Sequence, residues 1–418
     1  MKQLSTTILK GAPAKGLTAL AAAVLATAFG TQPMVALAQT GPIKIGLVTA
    51  KQGVFAESGT AAANGARLAM EQSGSKVMGR PVELLWYDEP SPQAAQQNIS
   101  KLIDEDKVAI VLGGSNSASS LAMASVAQRS KVPLIVIAGA AREITGKDCN
   151  RYTFRTQLTV PVGARAVAPL LLEQGKKWYF LSANYALGQD IYTSMKGALQ
   201  QAGGEEMGYD PVPVGTTDFS SYILKIRQTK PTAVVAGMGG NDLNNLLKQM
   251  SEYGLKNQIT VASTIVTDLA MWSVGPDVAT GIYAKHWHYS DPTNSSEEKK
   301  FIITWQAKYG KPPAVEAWQG WISMRMALSA IEQAKSTQGP ALVKSLETLK
   351  LSGSALPAYY REWDHQFVHP LLLVKGRAPA GSDKWDMFEV LRKVPAKAAE
   401  LDALYGSKAE VGCTLGEL

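Results

Sequence analysis

The sequence has few of the side chains that bind metals or form disulfide networks. Its 418 residues include only two cysteines and four histidines. Two cysteines make a poor zinc site, which normally takes four ligands. We therefore expect no bound metal, and no cofactor of another kind is indicated by any motif.

Charge of one sign and long apolar runs are also scarce. The 42 Lys and Arg residues stand against 35 Asp and Glu, a net charge of +7. No basic run is interleaved with aromatic residues, so we expect no nucleic-acid partner. After residue 38 no segment has eighteen consecutive apolar residues, so we expect no membrane-spanning helix there. Apolar residues still make up 46% of the chain, enough to exclude disorder as the main state and to fill two or three domains.

The first 38 residues have the three parts of a secretory signal peptide in order. A start with three lysines and no acid is followed by an apolar run at 17–29 and by Ala36-Leu37-Ala38. The apolar run is too short to span a bilayer as a helix. We expect residues 1–38 to be a cleaved signal peptide and the protein to be exported; an N-terminal anchor or a disordered tail is the alternative.

Export changes the interpretation of the two cysteines. In an oxidising compartment an even number of cysteines predicts a disulfide, here Cys149–Cys413. Such a bridge would fasten the C-terminal end of the chain to a distant part of the fold. Two unpaired thiols are the alternative.

Short apolar runs alternate with helical segments along the chain. Continuous apolar strands separated by helices predict parallel sheets covered by helices on both faces. The alternation of strands and helices begins again near Phe154, so we predict an α/β fold with two such sheets. Two long helices are predicted at 296–309 and 315–335, a β-hairpin at 358–374, and a tail with little pattern at the end. The predicted strands are 43–49, 82–87, 108–112, 134–138, 178–182, 233–236 and 259–262, with a longer β run at 281–288.

Ligands bind outside the carboxyl ends of the strands in open α/β sheets, so the loops after strands are the candidate site. Gly113–Ser117 precedes a helix, and its small residues and free N–H groups suit a carboxylate. Ordinary helix capping by Ser or Asn is the competing interpretation. Tyr185 follows a strand of the second half and offers a ring face and a hydroxyl.

Signatures of catalysis are weak. No complete phosphate-binding, dinucleotide-binding or nucleophile-elbow motif is present. His286 and His288 share one face of the 281–288 run, but no Cys/His cluster accompanies them. Trp318 and Trp321 are three apart on a helix, a spacing that favours core packing over an aromatic site.

Several segments in a specific order resemble the periplasmic solute-binding proteins of ABC transporters, in the branched-chain amino acid (leucine-binding) family. The resemblance extends from about Ile43 to Val374, and none of its segments is a catalytic signature. The segments are IKIGLVTAKQGVFAESG, NGARLAMEQ, YDEPSPQAAQQNISKLIDEDKVAIVLGGSNSASSLAMASVA, KVPLIVIAGAAREIT, YTFRT, NYALGQD, TDFSSYILKIRQTKPTAVV and GKPPAVEAWQGWISMRMALSAIEQA.

The resemblance implies the type I periplasmic-binding-protein fold, in which two doubly wound parallel-sheet lobes are joined by a hinge of three crossovers and enclose the ligand. Lobe closure is then a hinge movement that an inner-membrane ABC permease recognises. We expect a monomer. The implied boundaries are 42–153 with 285–357 for lobe 1, 154–284 with 358–392 for lobe 2, and 393–418 for a C-terminal tail.

Carried over residue by residue, the family's site matches only in part. The carboxylate-binding loop corresponds to Ser115–Ser117, and Tyr185 matches the Tyr that packs on the ligand. Ala138 matches a contact residue, but Ala140 stands where the family has Thr. The candidate ligand-binding residues are Ser58, Ser115, Asn116, Ser117, Ala138, Ala140, Tyr185, Asn241, Ser263 and Thr264.

The family pairs the ligand ammonium with a Glu, and here Ser263 or Thr264 stands in the corresponding place. A buried ammonium without a carboxylate is costly. Asp268 is the nearest acid and a possible substitute. We therefore hypothesise a ligand that has a carboxylate or amide but no α-amino group, such as an aromatic or aliphatic acid.

Three function classes follow from these residues. A solute-binding component of an ABC importer is the first. A periplasmic sensor that presents its closed form to a membrane receptor uses the same residues. A hydrolase is the third, and it predicts loss of turnover in Ser115→Ala where a binder predicts weaker affinity. We expect no enzymatic activity.

Overall fold

The computed structural model describes residues 41–351, 358–379 and 381–418. The predicted signal peptide, 1–38, lies outside these residues. Among the described helices none is both long and apolar enough to cross a membrane. The strands are β1 (Ile43–Val48), β2 (Lys76–Val77), β3 (Arg80–Tyr87), β4 (Ile110–Gly113), β5 (Leu134–Val136), β6 (Thr153–Arg155), β7 (Lys177–Ala183), β8 (Glu205–Val212), β9 (Ala233–Gly237), β10 (Thr260–Ser263), β11 (Ile282–Lys285), β12 (Lys350–Leu351), β13 (Ala358–Tyr360), β14 (Phe367–Val368), β15 (Leu371–Gly376) and β16 (Phe388–Val394).

Helices follow most of the strands. They are α1 (Ala56–Gln72), α2 (Pro92–Asp104), α3 (Ser117–Ser130), α4 (Val160–Gln174), α5 (Ala186–Gln201), α6 (Ser220–Thr229), α7 (Gly240–Glu252), α8 (Asp268–Val274), α9 (Ser296–Tyr309), α10 (Val315–Ala334), α11 (Gly339–Thr348), α12 (Leu401–Leu404) and α13 (Lys408–Val411). Short 3-10 turns lie at Arg142–Thr145 and Ala398–Glu400.

The first sheet has the strand order β2-β3-β1-β4-β5-β6. Its strands pair in parallel except for β2, which forms a hairpin with β3. All residues of β4 and β5 are buried, as continuous apolar strands under helices on both faces must be. Helices α1, α2, α3, α9, α10 and α11 share one hydrophobic cluster with this sheet. The sheet and these helices are called the first lobe below.

The second sheet has the order β16-β15-β11-β10-β9-β7-β8. Side chains alternate between its faces: Leu181 and Val234 belong to the cluster with α6, α7 and α8, whereas Phe180 and Val235 belong to the cluster with α4 and α5. The pairing is parallel from β8 to β11, but β15 and β16 are antiparallel additions at one edge. The sheet with its helices forms the second lobe.

The chain passes three times between the two sheets. It leaves the first sheet after β6, returns after β11, and leaves again through the small sheet β12-β13-β14 into β15. The predicted mixed α/β architecture with two sheets is confirmed. The residue boundaries given to the lobes stay predictions, since contacts group Gly41–Leu418 as one unit.

Two local predictions are wrong at the passages. The β run expected at 281–288 ends at Lys285, whose Nζ donates to Asp268 and to the carbonyl of Trp287. The hairpin expected at 358–374 is divided between the small sheet and β15.

The C-terminal segment is more ordered than its sequence suggests. Strand β16 runs to Val394, and the short helices α12 and α13 follow. Leu401 and Tyr405 are buried in the cluster around α4. The predicted disulfide Cys149–Cys413 is present, with Cα atoms 5.7 Å apart. The bridge ties this segment to the chain just before β6.

Helices α1 and α10 approach each other closely through glycine. A Cβ atom at Gly65 would lie 1.9 Å from the carbonyl oxygen of Ala317, and one at Gly320 would lie 1.9 Å from that of Ala62. Neither position has room for a side chain. This contact brings Ser58, near the start of α1, within reach of Glu316, near the start of α10.

Candidate functional site

A cavity of about 160 Å3 is lined by the carboxyl ends of both sheets. The first lobe contributes the segments after β1, β4 and β5 together with α10, and the second lobe contributes those after β7, β9 and β10. Its lining residues are Val54, Phe55, Glu57, Ser58, Ser115, Asn116, Ser117, Ala138, Ala140, Gln157, Tyr185, Leu187, Gly239, Gly240, Asn241, Asn244, Ile265, Thr267, Leu269, Ala270, Ser273, Glu316 and Gln319. Much of this wall is apolar, and the polar groups stand at a few places on it.

Eight of the ten candidate residues lie on this cavity, and two do not. The eight are Ser58, Ser115, Asn116, Ser117, Ala138, Ala140, Tyr185 and Asn241. Ser263 and Thr264 are buried and are not among the lining residues. The reason is the packing of β10 on α4, where the carbonyl of Thr264 would lie 2.2 Å from a Cβ atom at Gly163.

Part of the loop after β4 is already occupied by the protein itself. The Ser115 N–H donates to the Glu89 carboxylate at 2.8 and 3.0 Å, and Asn116 Nδ2 donates to it at 3.1 Å. Glu89 is 3% exposed. Burial raises the pKa of Glu89 to about 7, although the bonds from Ser115 lower it. These donors hold the loop in place, and its residues Ser115, Asn116 and Ser117 line the cavity.

Ser117 is the group of this loop with unused donor capacity. Its Oγ accepts the N–H groups of Ala140 at 3.2 Å and Ala141 at 3.1 Å. A hydroxyl has two acceptor sites and one proton, so these two bonds leave the O–H free to donate. Within the described residues no acceptor takes that proton, and none takes the Ser117 N–H at the first position of α3. The side chain of Asn116 caps α3 instead, at Ser119 N.

A second polar region of the wall lies on α10. Glu316 and Gln319 are 4% and 1% exposed. Ser58 Oγ donates to Glu316 Oε1 at 3.4 Å. Glu316 Oε2 and Gln319 Oε1 are buried and have no hydrogen-bond partner among the described residues. Burial and the nearby Asp268 raise the pKa of Glu316 to about 7.

Asp268, expected as a possible partner for a ligand ammonium, is committed elsewhere. It is fully buried, and its Oδ2 accepts from Lys285 Nζ at 2.6 Å and from Val315 N at 2.8 Å. Burial opposes ionisation, but Lys285 and His288 lower the pKa of Asp268 to about 2. This carboxylate therefore joins the second lobe to the start of α10 and does not line the cavity.

The two histidines considered as metal ligands diverge. His288 lies between Asp268 and Asp386, with ring nitrogens 3.2 and 3.1 Å from their carboxylates. His286 packs among aromatic rings, at 5.0 Å from the ring of Trp318. Trp318 and Trp321 are buried in the first lobe, as their spacing predicts.

The sequence did not identify Glu316 and Gln319 as site residues. They lie far along the chain from the loops after strands, on a helix whose neighbouring residues are core. One signal was available: two polar residues three apart inside the apolar stretch PAVEAWQGW. Such residues share one helix face, and buried polar groups need partners.

A family model described as periplasmic binding protein matches residues 42–382. The chain belongs to this family. The predicted resemblance is confirmed, and the protein is a solute-binding component of an ABC transporter with a small-molecule ligand and a permease partner. The family is periplasmic.

Individual relatives agree with this assignment. The Leu/Ile/Val-binding protein homolog 6 of Brucella abortus is 26% identical over 320 residues, 74% of this chain and 80% of its own length. The amino acid ABC transporter substrate-binding protein from Pseudomonas fluorescens Pf-5 has a TM-score of 0.82 and 26% identity, over 90% of this chain and 100% of that one. A solute-binding protein from Rhodopseudomonas palustris BisB5, solved with 3,4-dihydroxy benzoic acid, has a TM-score of 0.76 and 24% identity, over 84% and 97%.

Proposed function

We propose that this transport protein captures a small carboxylate solute and that the start of α3 binds the carboxylate. The observation that carries the proposal is the free Ser117 hydroxyl beside the unpartnered Ser117 N–H. Both donors belong to the first turn of a helix, where the backbone dipoles favour an anion. The same loop holds the Glu89 carboxylate from behind.

The size and lining of the cavity favour a small ligand with an apolar part. Phe55, Leu187, Ile265 and Leu269 supply apolar wall. The volume of about 160 Å3 is close to that of an engineered apolar cavity of about 150 Å3 that admits benzene. One similar protein is named for amino acids and another was solved with 3,4-dihydroxy benzoic acid, and both kinds of ligand are small enough for a cavity of this volume.

We infer that the protein acts by binding alone, as a monomer exported by its signal peptide. A serine hydrolase needs a base beside its nucleophile. The Ser115 hydroxyl accepts from Ala50 N at 2.8 Å, and no histidine is among the lining residues that the structure describes. Turnover is therefore not expected, and the captured solute is passed to the permease unchanged.

The test is calorimetric titration of a panel of small carboxylates and their uncharged amides into wild type and Ser117→Ala. Losing a hydrogen bond to a charged group costs about 1.5–3 kcal/mol, so we expect carboxylate affinity to fall roughly tenfold to a hundredfold. Ser125→Ala is the matched control, because Ser125 lies on the exposed side of the same helix. Equal affinity of Ser117→Ala and Ser125→Ala for every carboxylate would contradict the proposal.

A further inference from the structure

Two polar side chains of α10 line the cavity, and each has a buried oxygen without a donor. Glu316 and Gln319 are three residues apart and therefore lie on the same face of the helix. Both side chains are more than nine-tenths buried, both line the cavity, and Glu316 Oε2 and Gln319 Oε1 have no hydrogen-bond partner in the described part of the chain. They thus form a pair of acceptors with nothing to accept from.

The backbone of α10 is held in place by contacts on either side of this pair. Asp268 of the second lobe accepts from the Val315 N–H at 2.8 Å, one residue before Glu316. Gly320, one turn further on, is pressed against the backbone of Ala62. The backbone of α10 is therefore fixed on both sides of the pair.

An acceptor left unpaired in a buried site costs about 1–3 kcal/mol, and more when it is charged. A ligand that brings a donor to both oxygens recovers this cost, whereas a ligand without a donor does not. The structure therefore favours ligands that carry a hydrogen-bond donor over ligands that do not.

We propose that Glu316 and Gln319 form a donor-recognition subsite, and that the transported carboxylate carries an N–H or O–H donor, an ammonium or a hydroxyl group, which these two residues bind. This inference rests on the proposed function and narrows its substrate class. It also departs from the hypothesis of a ligand without an α-amino group, because Glu316 on α10 offers an acid that the segment after β10 lacks.

The experiment compares matched ligands that differ only in the donor. Leucine is paired with 4-methylpentanoate, and 4-hydroxybenzoate with benzoate, within a wider panel of small carboxylates and their donor-free analogues. Calorimetry is done with wild type, Glu316→Gln and Gln319→Leu. Glu332→Gln is the control, because Glu332 is an exposed acid on the same helix that contacts Lys335.

We expect the tightest ligand of the panel to carry a donor and to bind at least tenfold better than its donor-free analogue. In Glu316→Gln and Gln319→Leu this ratio falls toward one, while Glu332→Gln keeps it. A drop of about a hundredfold in Glu316→Gln identifies an ammonium, and a smaller drop identifies a hydroxyl, since charged pairs lose more than neutral ones.

Two results overturn the inference. One is a tightest ligand without any donor; the other is a donor preference unchanged in both α10 variants. Neither touches the carboxylate proposal, which Ser117→Ala tests separately. Failure of every carboxylate to bind would instead contradict the proposed function itself.

Discussion

At the scale of single residues, two buried carboxyl groups define the character of the site. Glu89 supports the loop after β4 from behind, and Glu316 faces the cavity from α10. Burial raises the pKa of each to about 7. Glu89 has donors from Ser115 and Asn116 and serves the architecture, whereas Glu316 Oε2 has no hydrogen-bond partner among the described residues. The difference in partners is what marks Glu316 as a binding group.

Ionisation of Glu316 should lower the stability of the ligand-free protein as pH rises. Its folded pKa is about 7 against an ordinary value of 4.5, so the folded state holds the proton more tightly and stability falls between these two pH values. A difference of this size corresponds to about 3 kcal/mol at most. Glutamine at this position has no titratable group. The free energy of unfolding of Glu316→Gln should therefore exceed that of wild type by an amount that grows from pH 5 to pH 8.

Urea denaturation at both pH values measures this difference. Asp268 faces Glu316 and, with a pKa of about 2, stays charged over this range, whereas Lys285 and Glu89 are common to both proteins. Glu332→Gln is the control, since Glu332 has its pKa lowered by Lys335 and should give a constant difference. A gap between Glu316→Gln and wild type that does not change with pH would show that Glu316 is not held in this way.

At the scale of elements, the contact between α1 and α10 positions the second polar region. The helices meet without side chains at Gly65 and Gly320, which sets the separation of Ser58 and Glu316. This close approach through glycine distinguishes α1 and α10 from most of the other helices. Most of the other helices pack on the sheets through larger apolar residues.

Gly65→Ala should therefore lower the free energy of unfolding by several kcal/mol and weaken ligand binding. Its Cβ would lie 1.9 Å from the Ala317 carbonyl oxygen, so the helices must separate. Gly197→Ala on α5 is the matched control, because no atom lies within 4 Å of its added Cβ. There alanine should be neutral or stabilise by up to about 1 kcal/mol through helix propensity. Thermal unfolding of both variants measures the contrast, and equal melting temperatures would contradict it.

The elements also show what the sequence can and cannot predict. Continuous apolar strands and the restart near Phe154 predicted the two sheets, because burial on both faces leaves a direct mark on composition. The same logic led to the loops after strands, and Ser117 and Tyr185 do line the cavity. Glu316 was missed because its role depends on where α10 lies against α1. Asp268 was misjudged because its partner Lys285 stands on another element.

At the scale of the whole molecule, the cavity belongs to both lobes. Ser117 and Glu316 stand on the first lobe, whereas Tyr185 and Leu187 stand on the second. Asp268, paired with Lys285 in the second lobe, also joins the lobes, since it accepts from the first N–H group of α10. Movement of one lobe against the other would therefore change the wall around a ligand.

The C-terminal segment contacts residues near the passages between the two lobes. Arg361 Nη1 donates to the carbonyl of Gly406 at 2.9 Å, and Arg151 Nη2 donates to that of Gly416 at 2.9 Å. Leu401 and Tyr405 pack on the second lobe, and the Cys149–Cys413 bridge fastens the end near β6. The segment is thus held both to the second lobe and to the chain just before β6.

The most direct test is a crystal structure of the protein with the tightest-binding carboxylate of the panel. We predict the carboxylate oxygens within hydrogen-bond distance of Ser117 Oγ and its N–H, and a donor of the same ligand within hydrogen-bond distance of Glu316 and Gln319. A ligand whose carboxylate lies away from the start of α3, or whose donor contacts neither α10 residue, would contradict this account.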